Sequence, residues 1–543
     1  MPQQPSTLAP FRYSSFRVLW AATLASNLGG LVQGVGAGWM MTTLTSSYVM
    51  VALVQAATTL PIMMFSLAAG ALADNFDRRV VMLVAQALMM VASAALAAAA
   101  LLGILSPWML LGITFLLGCG TALHNPSWQA SMGDLVPREV LPEAVTLNSM
   151  GFNLMRSIGP AIGGIIVAAA GAGAAFIVNA VSYVPLIGAL WAWTPPARAA
   201  TLPREHFFRA MSAGLRYVAM SPNLGKVILR AFLFGFAAIA ALALLPVIAS
   251  GLPRGGALVY GTLLGAFGIG AIFGGMANTS IRKRLSNEAI VRTACAGMAL
   301  ATIGMALSSS AVVSHLLLLP AGACWVLALS LFNVTVQLSA PRWVVGRALS
   351  LYQAATFGGM AIGAWTWGAL ADRFDLPSSL AAAGAALIFA ALVGLRLRLP
   401  EFGALDLSPL EQFREPRLRL GLKARSGPIM IMVDYVIAQE DIPAFLAAMV
   451  ERRRIRLRDG ARQWVLLRDL ENPETWTESY HVPTWVEYIR HNQRRTQADA
   501  EVTQRLTALH RGAEPPRVHR MIERQTVPLD DDLPLKDYTV MAP

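Results

Sequence analysis

An arginine and a cluster of glycines lie in one of the least polar stretches of the chain. Arg156 precedes SIGPAIGG at 157–164, and no Lys, Arg, Asp or Glu occurs from Ser157 to Ala197. A guanidinium inside a membrane is costly, so it usually has a partner or a function. The apolar stretches carry acidic residues only at their edges. The partner of Arg156 must therefore be a group at a helix end, an amide such as Asn125, or an anionic substrate. Alternatively, Arg156 reaches the membrane surface.

The glycines after Arg156 predict close packing between helices. Gly159 and Gly163 are four residues apart, Gly164 follows them, and Pro160 lacks a backbone N–H. Small residues at this spacing allow two helices to approach closely and to slide. Static packing, with no role in transport, is the alternative.

Other polar side chains occur singly within apolar stretches. Amides supply uncharged hydrogen bonds, Trp128 adds a stacking surface, and His124 can titrate near neutral pH. A single Asn or Gln is more often a hydrogen bond between helices, and a packed His124 is the simpler interpretation. The residues that can line a substrate cavity are Asn27, Gln33, His124, Asn125, Trp128, Gln129, Asn333 and Gln337.

The elements that carry these residues are membrane-spanning helices. The chain of 543 residues is 55% apolar and 14% charged, whereas soluble proteins carry about a quarter charged residues. Its uncharged runs, such as 18–73 and 80–133, are longer than the roughly 20 residues that span a bilayer as a helix. Charges, Pro and Gly divide these runs into twelve predicted spans: 17–42, 49–73, 79–103, 107–131, 145–169, 174–194, 226–250, 258–280, 288–308, 315–338, 347–371 and 377–399.

Basic residues predict how these spans are oriented in the bilayer. Arg and Lys cluster in alternate loops, whereas the opposite loops hold little beyond Arg254 and Arg373. This asymmetry places both termini in the cytoplasm. The net charge of +12 comes from these loops and from a basic tail, and no nucleic-acid-binding motif accompanies it. We therefore expect the lipid bilayer and a small-molecule substrate as partners, and no nucleic acid, metal or cofactor.

A weak internal repeat relates two halves of six spans. SIGPAIGG at 157–164 aligns with FGGMAIGA at 357–364, and GALADNFDRR at 70–79 then aligns with GGMANTSIRK at 274–283. The latter two stretches lie in cytoplasmic loops. A closer copy, GALADRFDLP at 368–377, falls on the outer face, so we interpret it as a coincidence of composition. Two such halves are a common transporter construction, with the substrate site between them.

The stretch 70–79 resembles the loop signature of the major facilitator superfamily, G-x-x-x-D-[RK]-x-G-[RK]-[RK]. In this sequence Asn75 replaces a basic residue and Asp77 replaces a glycine. The resemblance implies a gating loop, in which Asp74 can accept hydrogen bonds from a helix end or pair with an arginine. A solvated boundary charge is the alternative for Asp74. The motif residues are Gly70, Asp74, Arg78 and Arg79, with Gly274, Arg282 and Lys283 as the second-half counterparts.

Residues 118–164 resemble the subgroup that includes the enterobactin exporter and predicted secretion exporters. A similar segment occurs in the second half at 337–353. This resemblance implies efflux of a small drug-like or siderophore-like molecule across the cell inner membrane by alternating access, with proton coupling. It also implies an antiporter-type motif in span five and a cavity lined by spans one, four, seven and ten. The alternatives are an importer or facilitator of the same fold, or a transporter fused to a cargo-modifying α+β enzyme domain.

The tail has the composition of a soluble α+β domain. Strands and helices follow one another in the order β-α-β-β-α-β, which predicts a ferredoxin-like fold. The tail resembles small domains that pair as dimeric barrels, which implies self-association. Its aromatic and histidine residues can line a pocket, but packing is the simpler interpretation, so we expect a docking or regulatory domain and no enzyme. The residues concerned are Trp464, Trp476, Trp485, His481 and His491.

These predictions divide the chain into six segments. The linker between the halves contains an amphipathic helix with Phe207, Phe208, Met211, Leu215 and Val218 on one face. We expect this helix to lie in the membrane surface or to pack on protein. The segments are a first six-helix half at 1–194, the linker at 195–225, a second half at 226–400, a linker at 401–424, the ferredoxin-like domain at 425–530 and a tail at 531–543.

Overall fold

The computed structural model describes most of the chain. The predicted residues Gly70, Asp74, Phe207 and Phe208 lie on helices, but their side chains are outside the described part. The description leaves out residues 1–7, 138–139, 195–206, 342, 402–405, 409, 411–412 and 524–543, and the side chains of 66–67, 69–75, 142, 153, 207–210 and 213.

The chain forms two compact units. The first, here called the helical unit, comprises Met1–Arg204, Gly225–Val336 and Leu349–Glu401. The second, here called the C-terminal unit, comprises Glu205–Leu224, Gln337–Ala348 and Phe402–Pro543. The C-terminal unit therefore contains two segments that connect long helices, in addition to the tail.

Thirteen helices precede the first strand in the described residues. They are α1 (Ser14–Leu44), α2 (Tyr48–Asn75), α3 (Arg78–Leu101), α4 (Pro107–Leu135), α5 (Leu141–Ala192), α6 (Phe207–Ala219), α7 (Pro222–Ala243), α8 (Leu245–Gly251), α9 (Ala257–Arg282), α10 (Asn287–Leu307), α11 (Ala311–Leu338), α12 (Val345–Arg373) and α13 (Leu376–Arg396).

Ten segments of the described chain are long and apolar enough to cross a membrane. One of them, Glu143–Ala192, has 50 residues and would be about 75 Å long if it were straight. It breaks at Gly171, where φ is +79°. Glycine has no Cβ and adopts this left-handed conformation readily. The break divides α5 into two helices, each of membrane-spanning length, close to the predicted boundary between spans five and six. α12 has 29 residues but is not among the ten.

Equivalent glycines of the two halves contact equivalent helices. Gly159 and Gly163 of α5 lie against Leu31 and Val32 of α1. In the second half, glycines at 359 and 363 lie against the backbone of α7 at residues 232 and 236. A Cβ at position 363 would be 2.1 Å from a carbonyl oxygen of α7, so only glycine fits. The predicted alignment of SIGPAIGG with FGGMAIGA therefore pairs positions that have the same structural role.

The tail forms a four-stranded antiparallel sheet with helices. Its strand order is β2-β3-β1-β4, and the chain order of strands and helices is the predicted one, with the last helix divided in two. The residues of β1 are alternately buried and partly exposed, as expected for a sheet with one face on the core. The elements are β1 (Ile429–Val436), α14 (Ile442–Asp459), β2 (Arg462–Arg468), β3 (Thr475–Val482), α15 (Trp485–Gln493), α16 (Gln497–Leu509) and β4 (Arg517–Ile522).

A buried carboxylate organises the core of this sheet domain. Glu478 is fully buried, and it accepts hydrogen bonds from Nε of Arg456 at 3.1 Å and Nε1 of Trp464 at 3.0 Å. Arg452 approaches its other oxygen at 3.4 Å. Burial alone raises the pKa of Glu478, but the charges of Arg456 and Arg452 outweigh it and lower the pKa to about 2. The carboxylate is therefore ionised at neutral pH.

The predicted aromatic residues of the tail pack in the core or form structural hydrogen bonds. Trp476 and Trp485 are 8% and 5% exposed, and Trp485 donates a hydrogen bond to Glu415 at 3.2 Å. His491 is 2% exposed and lies 3.0 Å from Nη1 of Arg456. His481 is only partly buried. These contacts describe a packed and hydrogen-bonded interior.

Helix α6 buries part of its predicted apolar face and exposes another part of it. Tyr217 and Val218 are 2% and 8% exposed, whereas Leu215 is 56% exposed. The ring of Tyr217 lies edge-on to Trp343, with centroids 5.5 Å apart, and Arg458 lies over it at 5.0 Å. The prediction grouped Leu215 with Val218 by spacing alone. The partners of Tyr217 lie far away in the sequence, so spacing could not identify the buried face.

Candidate functional site

Arg156 lies near the middle of the helical unit. On α5, Gly151 contacts Leu24 and Gly159 contacts Leu31 of α1. Arg156 lies between these two levels, beside the middle of the 31-residue α1. Its side chain is partly buried, and no hydrogen bond or ion pair joins its guanidinium to another described residue. An arginine this far from both helix ends calls for a polar environment or a ligand.

The neighbouring glycines form the contact between α5 and α9. A Cβ on Gly164 would lie 2.8 Å from the Cα of Gly261, and a Cβ on Gly261 would lie 2.6 Å from the Cα of Gly164. Ser157 donates a hydrogen bond to the carbonyl of Gly268 at 2.9 Å. Pro160 continues the helix, and its carbonyl faces Gly261. The two helices, one from each half, therefore touch backbone to backbone.

A buried polar network ties α1, α3 and α5 together. Oε1 of Gln33 accepts hydrogen bonds from Oγ of Ser93 at 2.6 Å and from the amide of Asn179. The same amide of Asn179 is 3.1 Å from the hydroxyl of Tyr183. Gln33, Ser93 and Asn179 are at most 4% exposed. The network therefore places Gln33 in the packing between helices.

A second network surrounds His124 of α4. Its Nδ1 lies 3.1 Å from Nε2 of Gln86, and its ring stacks on that of Trp128 with centroids 6.4 Å apart. Trp128 in turn donates to Asn148 at 3.1 Å. His124 and Trp128 are 7% and 5% exposed. Gln86 and Ser93 were not predicted as site residues, although their spacing of seven puts them on one face of α3.

Two predicted cavity residues are exposed without a partner. Asn125 and Gln129 are one helical turn apart on the same face of α4, and neither forms a hydrogen bond to another described residue. Asn125 is ten residues before Leu135, which corresponds to about 15 Å from the helix end. An unpaired amide at that depth is costly in hydrocarbon. We therefore expect this face of α4 to line water.

The other predicted cavity residues are in varied settings. Asn27 on α1 and Asn333 on α11 are partly buried. Gln337 is exposed and belongs to the C-terminal unit. The structure thus groups Asn125 and Gln129 on one face of α4.

The arginines of the first signature loop bind helix ends within their own half. Arg78 lies 3.4 Å from Asp134 and donates to the carbonyl of Ala130 on α4. Arg79 donates to the carbonyl of Leu190 at 2.9 Å. Asp77, which departs from the signature glycine, accepts from the N–H of Arg79 at 2.9 Å and so caps α3. The departure at position 77 therefore has a local structural reason.

The second-half counterpart of this loop also packs within its own half. Gly274 lies against the backbone of Ala323 on α11. Arg282 is 3.5 Å from Oγ of Ser330, and the repeat partner of Asp74, Asn278, donates to the same oxygen at 3.0 Å. Lys283 follows Arg282, the last residue of α9, as the C-cap of that helix.

A buried ion pair in the second half was not predicted. Arg230 of α7 is 1% exposed, and its Nη1 lies 3.2 Å from both carboxylate oxygens of Glu288. Glu288 also accepts from the N–H of Leu399 at 3.2 Å. This pair links the interior of α7 to the start of α10 and, through Leu399, to the segment after α13. The sequence feature that indicates this pair is an arginine within a predicted span, but the acidic partner of that arginine lies 58 residues away.

The comparisons with known proteins agree with this architecture. The model of a family described as transmembrane secretion effector matches residues 5–526. The chain belongs to this family of the major facilitator superfamily. It is therefore a multi-pass membrane protein with the fold of that superfamily.

Similar proteins include two kinds of exporter. An enterobactin exporter of Citrobacter koseri is 27% identical over 414 residues, which cover 74% of this chain and 94% of that protein. Macrolide efflux protein A of Streptococcus pyogenes is 24% identical over 276 residues, covering 47% of this chain. The chain spans 66% of the length of that protein, slightly less than two thirds.

Solved transporter structures share the fold. A bacterial homologue of the human lysosomal transporter Spinster, in an inward-facing occupied conformation, aligns with a TM-score of 0.58 at 13% identity. The alignment covers 73% of this chain and 99% of that one. A POT family transporter in complex with a thioalcohol-conjugated peptide aligns with the same TM-score, 0.58, over 70% of this chain and 95% of that one, also at 13% identity. At these identities the likeness concerns the fold alone.

Proposed function

We propose that this protein exports a small organic molecule, drug-like or siderophore-like, across the cytoplasmic membrane. It does so by alternating access between two halves of six spans, coupled to protons. The family and its exporting relatives support the direction. Twelve spans follow if α5 counts as two spans, divided at Gly171, and α12 is added.

The observation that carries this proposal is the environment of Arg156. A guanidinium beside the middle of α1, without a carboxylate partner in the described chain, is stable if it faces water or an anionic group. The amides of Asn125 and Gln129 on α4, which form no hydrogen bond to another described residue, also require polar surroundings. We infer that Arg156 binds an acidic or hydroxylated part of the cargo, and that the α4 amides line its route.

Three parts of the proposal concern topology and domains. Both termini are cytoplasmic, because the basic residues cluster in alternate loops. Asp74 and the arginines of its loop gate the cytoplasmic side. The sheet domain is a cytoplasmic ferredoxin-like domain that regulates the transporter or associates with a second copy, and its strand order supports that fold.

The contacts of the C-terminal unit support a regulatory role. Arg454 donates to the carbonyl of Met220 at 2.9 Å, and Arg494 lies 4.3 Å from the ring centroid of Trp343. Met220 follows α6, in the connection between the halves, and Trp343 lies in the segment between α11 and α12. The sheet domain thus holds both connecting segments, so its position can influence how they move.

Arg156→Gln tests the proposed cargo contact. We expect at least about a tenfold lower rate of protein-dependent transport of a catechol siderophore, because a lost charged hydrogen bond is worth roughly 1.5–3 kcal/mol. The measurement is uptake of the labelled siderophore into inside-out membrane vesicles. Arg156→Lys keeps the charge and should retain more activity.

Arg254→Gln is the matched control for charge removal, since Arg254 is exposed in the segment between α8 and α9. We expect it to transport at a rate near that of the wild type once expression is equalised. Wild-type siderophore transport by Arg156→Gln would contradict the proposed role of Arg156.

A further inference from the structure

The carboxylate of Asp372, at the end of α12, caps the beginning of α2. Its Oδ1 accepts a hydrogen bond from the N–H of Tyr48 at 2.6 Å. Its Oδ2 accepts from the hydroxyl of Ser47 at 2.7 Å and from the N–H of Val49 at 3.2 Å. One side chain therefore satisfies three donors at the start of another helix.

The physical chemistry of a helix start explains why a carboxylate fits there. The first N–H groups of a helix have no partner within it, and they carry the positive end of the helix dipole. Hydrogen bonds to an ionised acceptor are stronger than neutral ones. Ser47 takes part in the same arrangement, since its hydroxyl also accepts from the N–H of Met50 at 3.4 Å.

This cap differs from the N-cap carboxylates of α3 and α13 because its partner is distant. Glu401 also reaches a distant helix start, at Asn287 of α10, but both of those residues belong to the proposed second half or its end. Asp77 and Asp375 each cap the helix that begins directly after them. Asp372 instead reaches a residue 324 positions away. In the proposed architecture, α2 belongs to the first half and α12 to the second. The hydrogen bonds of Asp372 therefore exist only while these two helix ends are together.

Close packing along α2 and α12 accompanies the cap. A Cβ on Gly368 would lie 2.8 Å from the Cα of Val49, and a Cβ on Gly358 would lie 2.8 Å from Sδ of Met63. Position numbers rise along one helix as they fall along the other, so the helices run antiparallel. Asp372 lies beyond Gly368, at the end of this contact where α2 begins.

We propose that Asp372 is a latch that holds the two halves closed on the side of the membrane where α2 begins. The inference rests on the proposed alternating access. The latch stabilises the state closed on that side, and its hydrogen bonds break when that side opens. The copy GALADRFDLP, interpreted above as a coincidence of composition, thus contains a carboxylate with a specific contact, Asp372, although it has no counterpart in the repeat.

Distances between spin labels test the latch without any cargo. Cysteines replace Ser46 and Phe374, which are exposed residues beside the two helix ends. The native Cys119, Cys295 and Cys324 are changed to serine, and the protein is studied in lipid nanodiscs by pulsed electron resonance. We expect one dominant short distance with Asp372 present. In Asp372→Ala the ratio of long to short distances should rise about tenfold, because several charge-assisted hydrogen bonds are lost.

The matched control is Asp375→Asn, which removes a carboxylate from the same loop. Asp375 accepts from the N–H of Ser378 at 2.6 Å, within its own helix, so the distances should not change. Asp372→Asn and Ser47→Ala remove fewer of these hydrogen bonds. They replace Asp372→Ala in the experiment if that variant does not fold. They should give a smaller shift in the same direction.

The same distances in all Asp372 and Ser47 variants as in the parent would overturn the latch. The result is independent of the transport assay. An intact latch in a protein that exports none of the tested cargo would count against the proposed function alone.

Discussion

Gly164→Leu is expected to reduce transport by at least about tenfold, with a smaller loss for Gly164→Ala. The reason is that a Cβ at this position meets the Cα of Gly261 at 2.8 Å and the carbonyl of Ala257 at 3.0 Å. Both are backbone atoms, so no side-chain rotation can relieve the clash. Overpacking of this kind costs roughly 1–3 kcal/mol. In the proposed architecture this contact joins the two halves, so a relative movement of the halves changes it.

The measurement is the transport rate per folded molecule, with folding assessed by size-exclusion chromatography. Gly188→Leu is the matched control, because Gly188 lies on the same helix α5 and a Cβ there meets nothing within 4 Å. It should transport and fold like the wild type. If Gly164→Leu transported as fast as Gly188→Leu, the close approach of α5 and α9 would not be required for the transport cycle.

Glu288→Ala is expected to lower thermal stability strongly. The substitution leaves the guanidinium of Arg230, which is 1% exposed, without its carboxylate. Removing one partner of a buried ion pair costs about 3–5 kcal/mol, since the remaining charge stays buried. The N–H of Leu399 also loses its acceptor. The measurement is the midpoint of thermal unfolding of the full chain in detergent, and Glu288→Gln should be affected less.

An exposed ion pair supplies the control for this prediction. Glu451 pairs with Arg505, and both side chains are more than half exposed. Exposed pairs contribute about 0–1 kcal/mol, so Glu451→Ala should melt close to the wild type. Equal melting midpoints for Glu288→Ala and Glu451→Ala would show that the Arg230 pair does not stabilise the second half.

Local patterns predicted the helices and the sheet domain, because both follow from the periodicity and composition of neighbouring residues. The spacing of Gly159 and Gly163 predicted a helix contact, and their neighbour Gly164 makes the contact with α9. The order of strands and helices in the tail likewise predicted the sheet domain, and the structure adds that β1 buries every second residue. In each case the deciding information lies within about ten residues of sequence.

Partners that are distant in the sequence could not be predicted. In the sequence, Asp372 is an ordinary charged residue at the boundary of a span. The fold brings it into contact with Tyr48, which is 324 residues away. Arg230 and Glu288 are 58 residues apart. From the sequence, Gln33 fits a cavity residue and a hydrogen-bonded link between helices equally well. The positions of Ser93 and Asn179 in the structure decide between these two roles. A single sequence carries no information on such pairings.

The most direct test of the account is the direction of transport. Inside-out and right-side-out vesicles from the same cells are given an imposed proton gradient and a labelled catechol siderophore or macrolide. The account predicts uptake of at least one of these probes into inside-out vesicles that requires both the protein and the gradient. Protein-dependent uptake that occurs only in right-side-out vesicles would contradict export and would make this chain an importer of the same fold.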